Sequence, residues 1–124
     1  MTYRPCPVRV SADTATPKND DVEAGLIARR FAPGTLAGAT KGMTGHTLGA
    51  AGALGAVFSL LALEHGILPG TVSTSSVEPG MRAHLRIDPV RARVRHAMSH
   101  AFAFGGSHCV RVLGHPAHHG AVCT

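Results

Sequence analysis

The chain has 124 residues, of which 44% are hydrophobic and 4% aromatic, with no tryptophan, so it can bury one modest and mainly aliphatic core. A formal net charge of +5 favours acidic partners. Nucleic acid is not the expected one, because no run of lysine and arginine with interleaved aromatic residues occurs.

The three cysteines, Cys6, Cys109 and Cys123, are widely spaced and include no C-x-x-C pair. This pattern predicts reduced thiols in a cytoplasmic protein, without a disulfide framework or a cysteine zinc site. The N-terminal residues lack the apolar core of a signal peptide. The uncharged run 47–63 is short for a membrane span and rich in small residues, so a buried helix of a soluble protein is predicted and no membrane contact.

The first half of the chain alternates between strand and helix patterns. We predict, in chain order, a strand over 8–11, a helix capped by Asn19 or Asp20 and ending near Phe31, a strand over 36–40, and a long helix that follows His46 and ends near His65. Pro33-Gly34 and Gly66 are the expected stop signals.

The second half predicts an extended segment, a turn, a basic surface segment and two further strands. Their expected ranges are 70–76, 78–82, 86–95, 96–102 and 108–113, respectively. Alternation of strands and helices predicts an α/β layer whose sheet is at least partly parallel. The expected division is an N-terminal extension over 1–7, one domain over 8–113, and a flexible Gly/His-rich tail over 114–124.

The segment 40–53, Thr-Lys-Gly-Met-Thr-Gly-His-Thr-Leu-Gly-Ala-Ala-Gly-Ala, is the most informative part of the chain. It places Lys41 five residues before His46, just ahead of the long helix. The positive end of a helix dipole disfavours an imidazolium, and a neutral imidazole can donate a hydrogen bond to a developing oxyanion. Lys41 would add positive charge nearby. On the residues alone, a merely structural His46 is the alternative.

The long helix is apolar on nearly all faces, which predicts burial inside a larger assembly. Gly49, Gly52 and Gly55 recur every three residues and predict a close approach of another backbone. No glycine pattern for phosphate binding occurs, and no cofactor is predicted.

Two of these segments resemble the β-ketoacyl-ACP synthases, the condensing enzymes of fatty acid and polyketide synthesis. The family pattern Lys-x-Met-Thr-Gly-His-x-Leu-Gly-Ala-Ala-Gly matches here, and the resemblance implies catalytic roles for His46 and Lys41. The family's Asn-Ser-Phe-Gly-Phe-Gly-Gly-Thr-Asn is similar to residues 100–108, which implies that Phe104 is a gate and that Phe104, Gly105 and Gly106 border the oxyanion hole. These motif sequences are most similar to those of synthases of aryl polyene pathways.

The chain also departs from the family pattern. Ala12 stands where the family has its other catalytic histidine, Gly55 replaces a glutamate, and His100 replaces the asparagine that opens the second motif. The nucleophilic cysteine belongs to the family's N-terminal half, and none of the three cysteines here has a nucleophile-elbow context. We therefore expect no activity from the chain alone. Whether His100 or His108 compensates for Ala12 is left open.

The resemblance implies the C-terminal half of a thiolase-like α/β fold, with a mixed sheet, a buried central helix and flanking helices. Such a half exposes an apolar face that normally finds a partner. We expect either self-association or pairing with a separately encoded N-terminal half.

Three functions compete at this stage. The first is a condensing-enzyme C-terminal domain that works with acyl carrier protein. The second is a noncatalytic partner resembling a chain-length factor, which binds the acyl chain or carrier protein, supported by Phe104 and a basic surface (Arg82, Arg86, Arg91, Arg93 and Arg95). The third is a metal-binding tail with His115, His118 and His119; it is disfavoured, and no metal is predicted, because no second ligand pair has zinc-like spacing.

Overall fold

The computed structural model describes residues 8–11, 17–71, 74–77 and 79–115. The helices and strands are β1 Val8–Ser11, α1 Pro17–Arg30, β2 Leu36–Gly38, α2 Lys41–Thr44, α3 Ala51–His65, β3 Ile67–Leu68, β4 Val90–Arg91, β5 His96–Phe102 and β6 His108–Gly114. Short 3₁₀ turns occur at Leu48–Ala50, Pro79–Met81 and Phe104–Gly106.

One four-stranded sheet organises the chain, in the strand order β2-β1-β5-β6. β1 runs parallel to both β2 and β5, and β6 returns antiparallel to β5. This confirms the prediction of a sheet that is at least partly parallel. A small antiparallel ladder joins β3 to β4.

The two faces of the sheet are covered by different helices. Met98 on β5 packs with Ile27 of α1 in the core cluster. Ala101, three positions further along β5 and therefore on the opposite face, lies against Gly52 of α3. The sheet is thus a layer between α1 and α3.

α1 begins at Pro17, three to four residues earlier than predicted. Proline suits the first helical position, because its fixed φ matches the helix and the missing N–H has no partner there anyway. Asn19 and Asp20 therefore lie in the first turn of the helix, and the prediction that one of them caps it is wrong.

α3 is buried along one face only, as predicted for a central helix that is covered completely only inside a larger assembly. Its buried residues are Gly55, Ser59, Ala62 and Leu63. Val57 and Leu60 are 48% and 54% exposed, respectively. The reason is that the sheet covers one side of the helix, whereas no element of the described residues covers the other. An open apolar face is what we predicted for the C-terminal half of a thiolase-like fold.

The end of α3 is as predicted. Gly66 adopts the left-handed conformation, with a φ of 62°, and its N–H donates to the carbonyl oxygen of Ala62 at 3.0 Å. By length and composition, Leu48–His65 could also cross a membrane. One such helix is weak evidence, since the core helices of soluble proteins share both properties.

Several predictions in the second half of the chain need small corrections. The extended segment is β3, Ile67–Leu68, and precedes the predicted range 70–76. β6 reaches Gly114, so this residue belongs to the sheet and not to the tail. The predicted extension over 1–7 and the residues from 116 onward lie outside the described residues, as do Cys6, Cys123, His118 and His119.

Candidate active site at the carboxyl edge of the sheet

Three parallel strands bring the predicted site segments to one edge of the sheet. β2, β1 and β5 are neighbours and run in the same direction. Their carboxyl ends therefore meet, and they are followed in sequence by Lys41, Ala12 and Phe104. In open α/β sheets, this edge is where ligands bind. Ala12 itself lies outside the described residues.

A tight turn connects β2 to His46. The carbonyl oxygen of buried Thr40 accepts hydrogen bonds from the N–H groups of Met43 at 2.9 Å and Thr44 at 3.1 Å. Gly45 then takes a φ of 71°, which is accessible to glycine and ends α2. Lys41 is half-buried at the start of this turn, whereas His46 is exposed just beyond it.

The hydrogen bond at His46 defines its proton. Leu48 donates its backbone N–H to Nδ1 of His46 at 3.1 Å. Because Nδ1 is the acceptor, a neutral His46 ring carries its proton on Nε2. Leu48 has a φ of 50°, a left-handed conformation that costs a non-glycine residue about 1–2 kcal/mol. The backbone of Leu48 is therefore strained at the point where its N–H orients the His46 ring.

The start of α3 is held close to β5 and β6. A Cβ atom at Gly52 would lie 3.3 Å from the Cβ of Ala101, and Arg111 donates a hydrogen bond to the carbonyl oxygen of Gly52 at 2.9 Å. The close approach at Gly52 is made by side-chain atoms, and not by another backbone as predicted. The same prediction is wrong at Gly49, where a Cβ would meet nothing within 4 Å.

Gly70 and Thr71 hold the segment between β2 and Lys41 in place, a role that the sequence analysis did not predict. The buried hydroxyl of Thr71 accepts the N–H of Ala39, just before the Lys41 turn, at 3.2 Å. The Thr71 N–H donates to the carbonyl oxygen of Arg86 at 2.8 Å. A Cβ at Gly70 would collide with the carbonyl oxygen of Ile87, so only glycine fits there. The sequence Pro69-Gly70-Thr71 was the feature that could have indicated this role.

Phe104 stands at the tip of the β5–β6 connection and is fully exposed. Gly105 and Gly106 follow with φ values of 79° and 80°, a region that favours glycine. Ala103 closes the connection by donating its N–H to the carbonyl oxygen of Ser107 at 2.9 Å. The turn geometry thus explains the two glycines and presents the Phe104 ring away from the described residues.

His100 is the buried histidine at this edge, at 7% exposure. Its ring contacts Phe102 edge-on at 6.0 Å, and Phe102 contacts exposed His108 at 5.4 Å. Burial lowers the pKa of His100, because the charged ring loses its hydration. Its burial was not predicted, although strand periodicity places it on the same face as Met98.

Cys109 stands apart from this arrangement. Cys109 is exposed and free, and pairs with Ala101 across the β5–β6 hairpin. Within the described ranges, no group of three or more His, Cys, Asp or Glu side chains is placed to hold a metal ion. His115 belongs to those ranges; His118 and His119 do not.

Comparison with known proteins identifies the family. The family described as Beta-ketoacyl synthase, C-terminal domain, matches residues 9–75, which is more than half of the chain. The mitochondrial 3-oxoacyl-[acyl-carrier-protein] synthase of Arabidopsis thaliana is 45% identical over 101 residues, covering 76% of this chain and 22% of the relative. Synthase 1 of Escherichia coli (strain K12) is 35% identical over 105 residues, covering 83% of this chain and 26% of the relative.

The chain therefore belongs to the β-ketoacyl synthase family and corresponds to its C-terminal domain, as the sequence motifs indicated. It spans about a quarter of the length of these curated relatives.

Solved structures agree on the fold. The ishigamide ketosynthase/chain length factor superposes with a TM-score of 0.79 at 33% identity, over 87% of this chain and 27% of that chain. A type II PKS acyl-carrier protein in complex with its ketosynthase superposes with a TM-score of 0.78 at 24% identity, over 88% of this chain and 28% of that chain. The chain thus has the ketosynthase type of α/β fold.

Proposed function

We propose that this chain forms the C-terminal part of a β-ketoacyl-ACP synthase active site. The observation that carries the proposal is the hydrogen bond from Leu48 to Nδ1 of His46, which leaves Nε2–H as a hydrogen-bond donor at the carboxyl edge of the sheet. Family membership supports the reaction class, and the turn of Phe104 lies at the end of a strand of the same sheet.

The reaction joins an acyl group, held as a cysteine thioester, to a malonyl thioester on a carrier protein. The malonyl group loses CO₂, its enolate attacks the acyl carbonyl, the cysteine leaves as a thiolate and takes up a proton, and a β-ketoacyl thioester remains on the carrier. As CO₂ departs, negative charge collects on the thioester oxygen. The Nε2–H of His46 donates to this oxygen, and the ammonium group of Lys41 adds positive charge nearby.

The nucleophilic cysteine comes, in this proposal, from protein beyond the 124 residues, on the same polypeptide or on another. His46 is exposed here, where water competes for its donor and weakens the electrostatic effect. A covering protein segment that excludes water would restore that effect. The expectation that this chain alone does not catalyse condensation rests on the missing nucleophilic cysteine and on Ala12, and the exposure of His46 agrees with it.

The exposed face of α3 is the proposed contact for that covering segment. Its apolar residues include Val57, Leu60 and Leu61, and the described residues leave them open to solvent. A separately encoded N-terminal half, or a second copy of this chain, would bury them. The net charge of +5 favours an acidic carrier protein as a further partner. One structural neighbour, a ketosynthase, was solved in complex with its acyl-carrier protein.

A second candidate is a noncatalytic partner subunit of the chain-length-factor type. The likeness to a structure that contains a ketosynthase and a chain length factor favours this possibility. Ala12 agrees with it, because a subunit that only shapes an acyl pocket does not need a complete set of catalytic side chains. Location in the cytoplasm stays a prediction in both cases, and one relative is mitochondrial.

The test is condensation by the chain together with a cysteine-containing N-terminal half, supplied with acyl- and malonyl-carrier protein. We expect His46→Ala to lower the rate of β-ketoacyl formation about 10²–10³-fold, the usual effect of losing one oxyanion donor. His65→Ala, at the far end of α3, is the matched control and leaves the rate unchanged. Activity that does not depend on His46 would favour the noncatalytic subunit.

A further inference from the structure

His100 is the residue that the proposed function leaves unexplained. Its side chain is 7% exposed, and its Nε2 is a buried nitrogen atom without a hydrogen-bond partner. Leaving a buried polar atom unpaired destabilises the fold, so an aromatic or aliphatic side chain would be the more stable choice for a purely structural position. A polar atom kept at this cost indicates a partner that arrives later.

The register of the sheet gives the position of this atom. The last described pair between β1 and β5 is Ser11 with Ser99, and His100 is the next residue of β5. His100 therefore lies at the carboxyl edge, between the strand that leads to Ala12 and the strand that leads to Phe104. It points to the α1 side of the sheet, as Met98 does, because residues two apart on a strand share a face.

The surroundings of the ring indicate which chemistry it can bind. Phe102 packs against it edge-on, and burial lowers its pKa, so the ring is neutral near pH 7. With its proton on Nε2, the neutral ring suits an uncharged acceptor such as a thioester or ketone oxygen, because a carboxylate would lose more hydration on entering a buried site.

We propose that His100 is a second substrate-binding histidine, whose Nε2–H donates to a carbonyl oxygen of the acyl thioester at the carboxyl edge of the sheet. This inference rests on the proposed function and deepens it. His100 follows Ser99, which pairs with Ser11, the last described residue of β1. His108, whose ring is exposed beyond Phe102, has no such role.

The first experiment measures binding of S-hexanoyl-pantetheine, a short acyl thioester, to the full chain by NMR. In the free chain, the Nε2 of His100 should show the ¹⁵N shift of a protonated ring nitrogen, and its proton should move downfield with saturation on titration. His100→Phe should weaken binding at least about tenfold, whereas His100→Gln, which keeps a donor, should weaken it less. His108→Phe is the control and should bind like the wild type.

Three outcomes would overturn the inference. One is an unprotonated Nε2 in the free chain. Another is no saturable binding to the wild type. The third is equal binding by His100→Phe together with higher stability, as expected for a buried nitrogen with no ligand.

Condensation assays separate this inference from the proposed function. If the reconstituted enzyme depends on His46 but His100→Phe leaves both KM and kcat unchanged, the proposed function stands and the role of His100 is wrong. If no partner restores condensation while the thioester still binds through His100, the proposed function fails and the binding site stands.

Discussion

The packing between α1 and the sheet is closed, whereas the outer face of α3 is open to solvent. Between α1 and the sheet, Ile27, Ala37 and Met98 form a core cluster, each less than 10% exposed. On the outer face of α3, Val57 and Leu60 are about half exposed although they are equally apolar. The sequence supplies similar side chains to both places, and only one of them has been closed by this chain. The open face is therefore the proposed interface, and in that proposal the site next to it depends on what covers it.

The largest effect should come from the closed side. Ile27→Ala removes a side chain that is 1% exposed and should lower the free energy of unfolding by about 2–5 kcal/mol. Leu60→Ala, on the open side, should change it by less than about 0.5 kcal/mol. Urea denaturation followed by circular dichroism measures both. Equal losses at the two positions would contradict the distinction between the two sides.

Substitutions on the open face of α3 should change the self-association of the chain and not its stability. We expect the chain alone to elute in size-exclusion chromatography with light scattering at a mass above 12.8 kDa. Leu60→Asp should weaken that association about thirtyfold, because one buried leucine contributes about 2 kcal/mol. Glu64→Gln, on the same helix, is the control and should associate like the wild type. A well-folded wild-type monomer would show that this face needs no cover.

The junction between the two sides can be probed with a pair of glycines. Gly52→Ala would place a Cβ 3.3 Å from Ala101, and should lower stability by about 1–2 kcal/mol as α3 moves away from β5. Gly49→Ala, three residues earlier, has open space and should be neutral or slightly stabilising. The movement at Gly52 should also reduce condensation in the reconstituted enzyme. If both variants behave alike in thermal denaturation, the close approach is not what constrains Gly52.

The smallest effect is a pH dependence at His100. Because burial lowers its pKa below the ordinary 6.5, the unfolded chain takes up a proton more readily than the folded chain as the pH falls. The contribution to stability is complete above pH 6.5 and is lost as the pH falls from 6.5 through the lowered pKa. Wild type should therefore lose more stability between pH 7.5 and 5.5 than His100→Phe does.

Comparing the two proteins at each pH isolates His100 from its ionisable neighbours. These are Glu23, buried on α1 on the same side of the sheet, and His108 beyond Phe102. They are present in both proteins, so their titration largely cancels in the difference. Parallel stability curves for the two proteins would show that His100 is not desolvated in the folded state.

Local patterns carried much of the prediction. Strand alternation placed β5 correctly at His96–Phe102, and Gly66 ended α3 where the sequence indicated. The start of α1 was misplaced because Asn19 and Asp20 are good caps in isolation, and the preceding Pro17 decided otherwise. The open apolar face of α3 was also predicted, but not what covers it. An all-apolar helix shows that cover is needed, but its sequence does not show which protein segment provides it.

The sequence by itself determined the family, the order of the elements, and the choice of Lys41 and His46 as candidate catalytic residues. These depend on spacing and turn chemistry within short segments. The tertiary structure decided which segments meet. The parallel order of β2, β1 and β5 gathers them at one edge, the strained backbone of Leu48 fixes the proton of His46, and the packing of β5 buries His100. These properties arise from chain folding and contacts between distant residues, which no local pattern specifies.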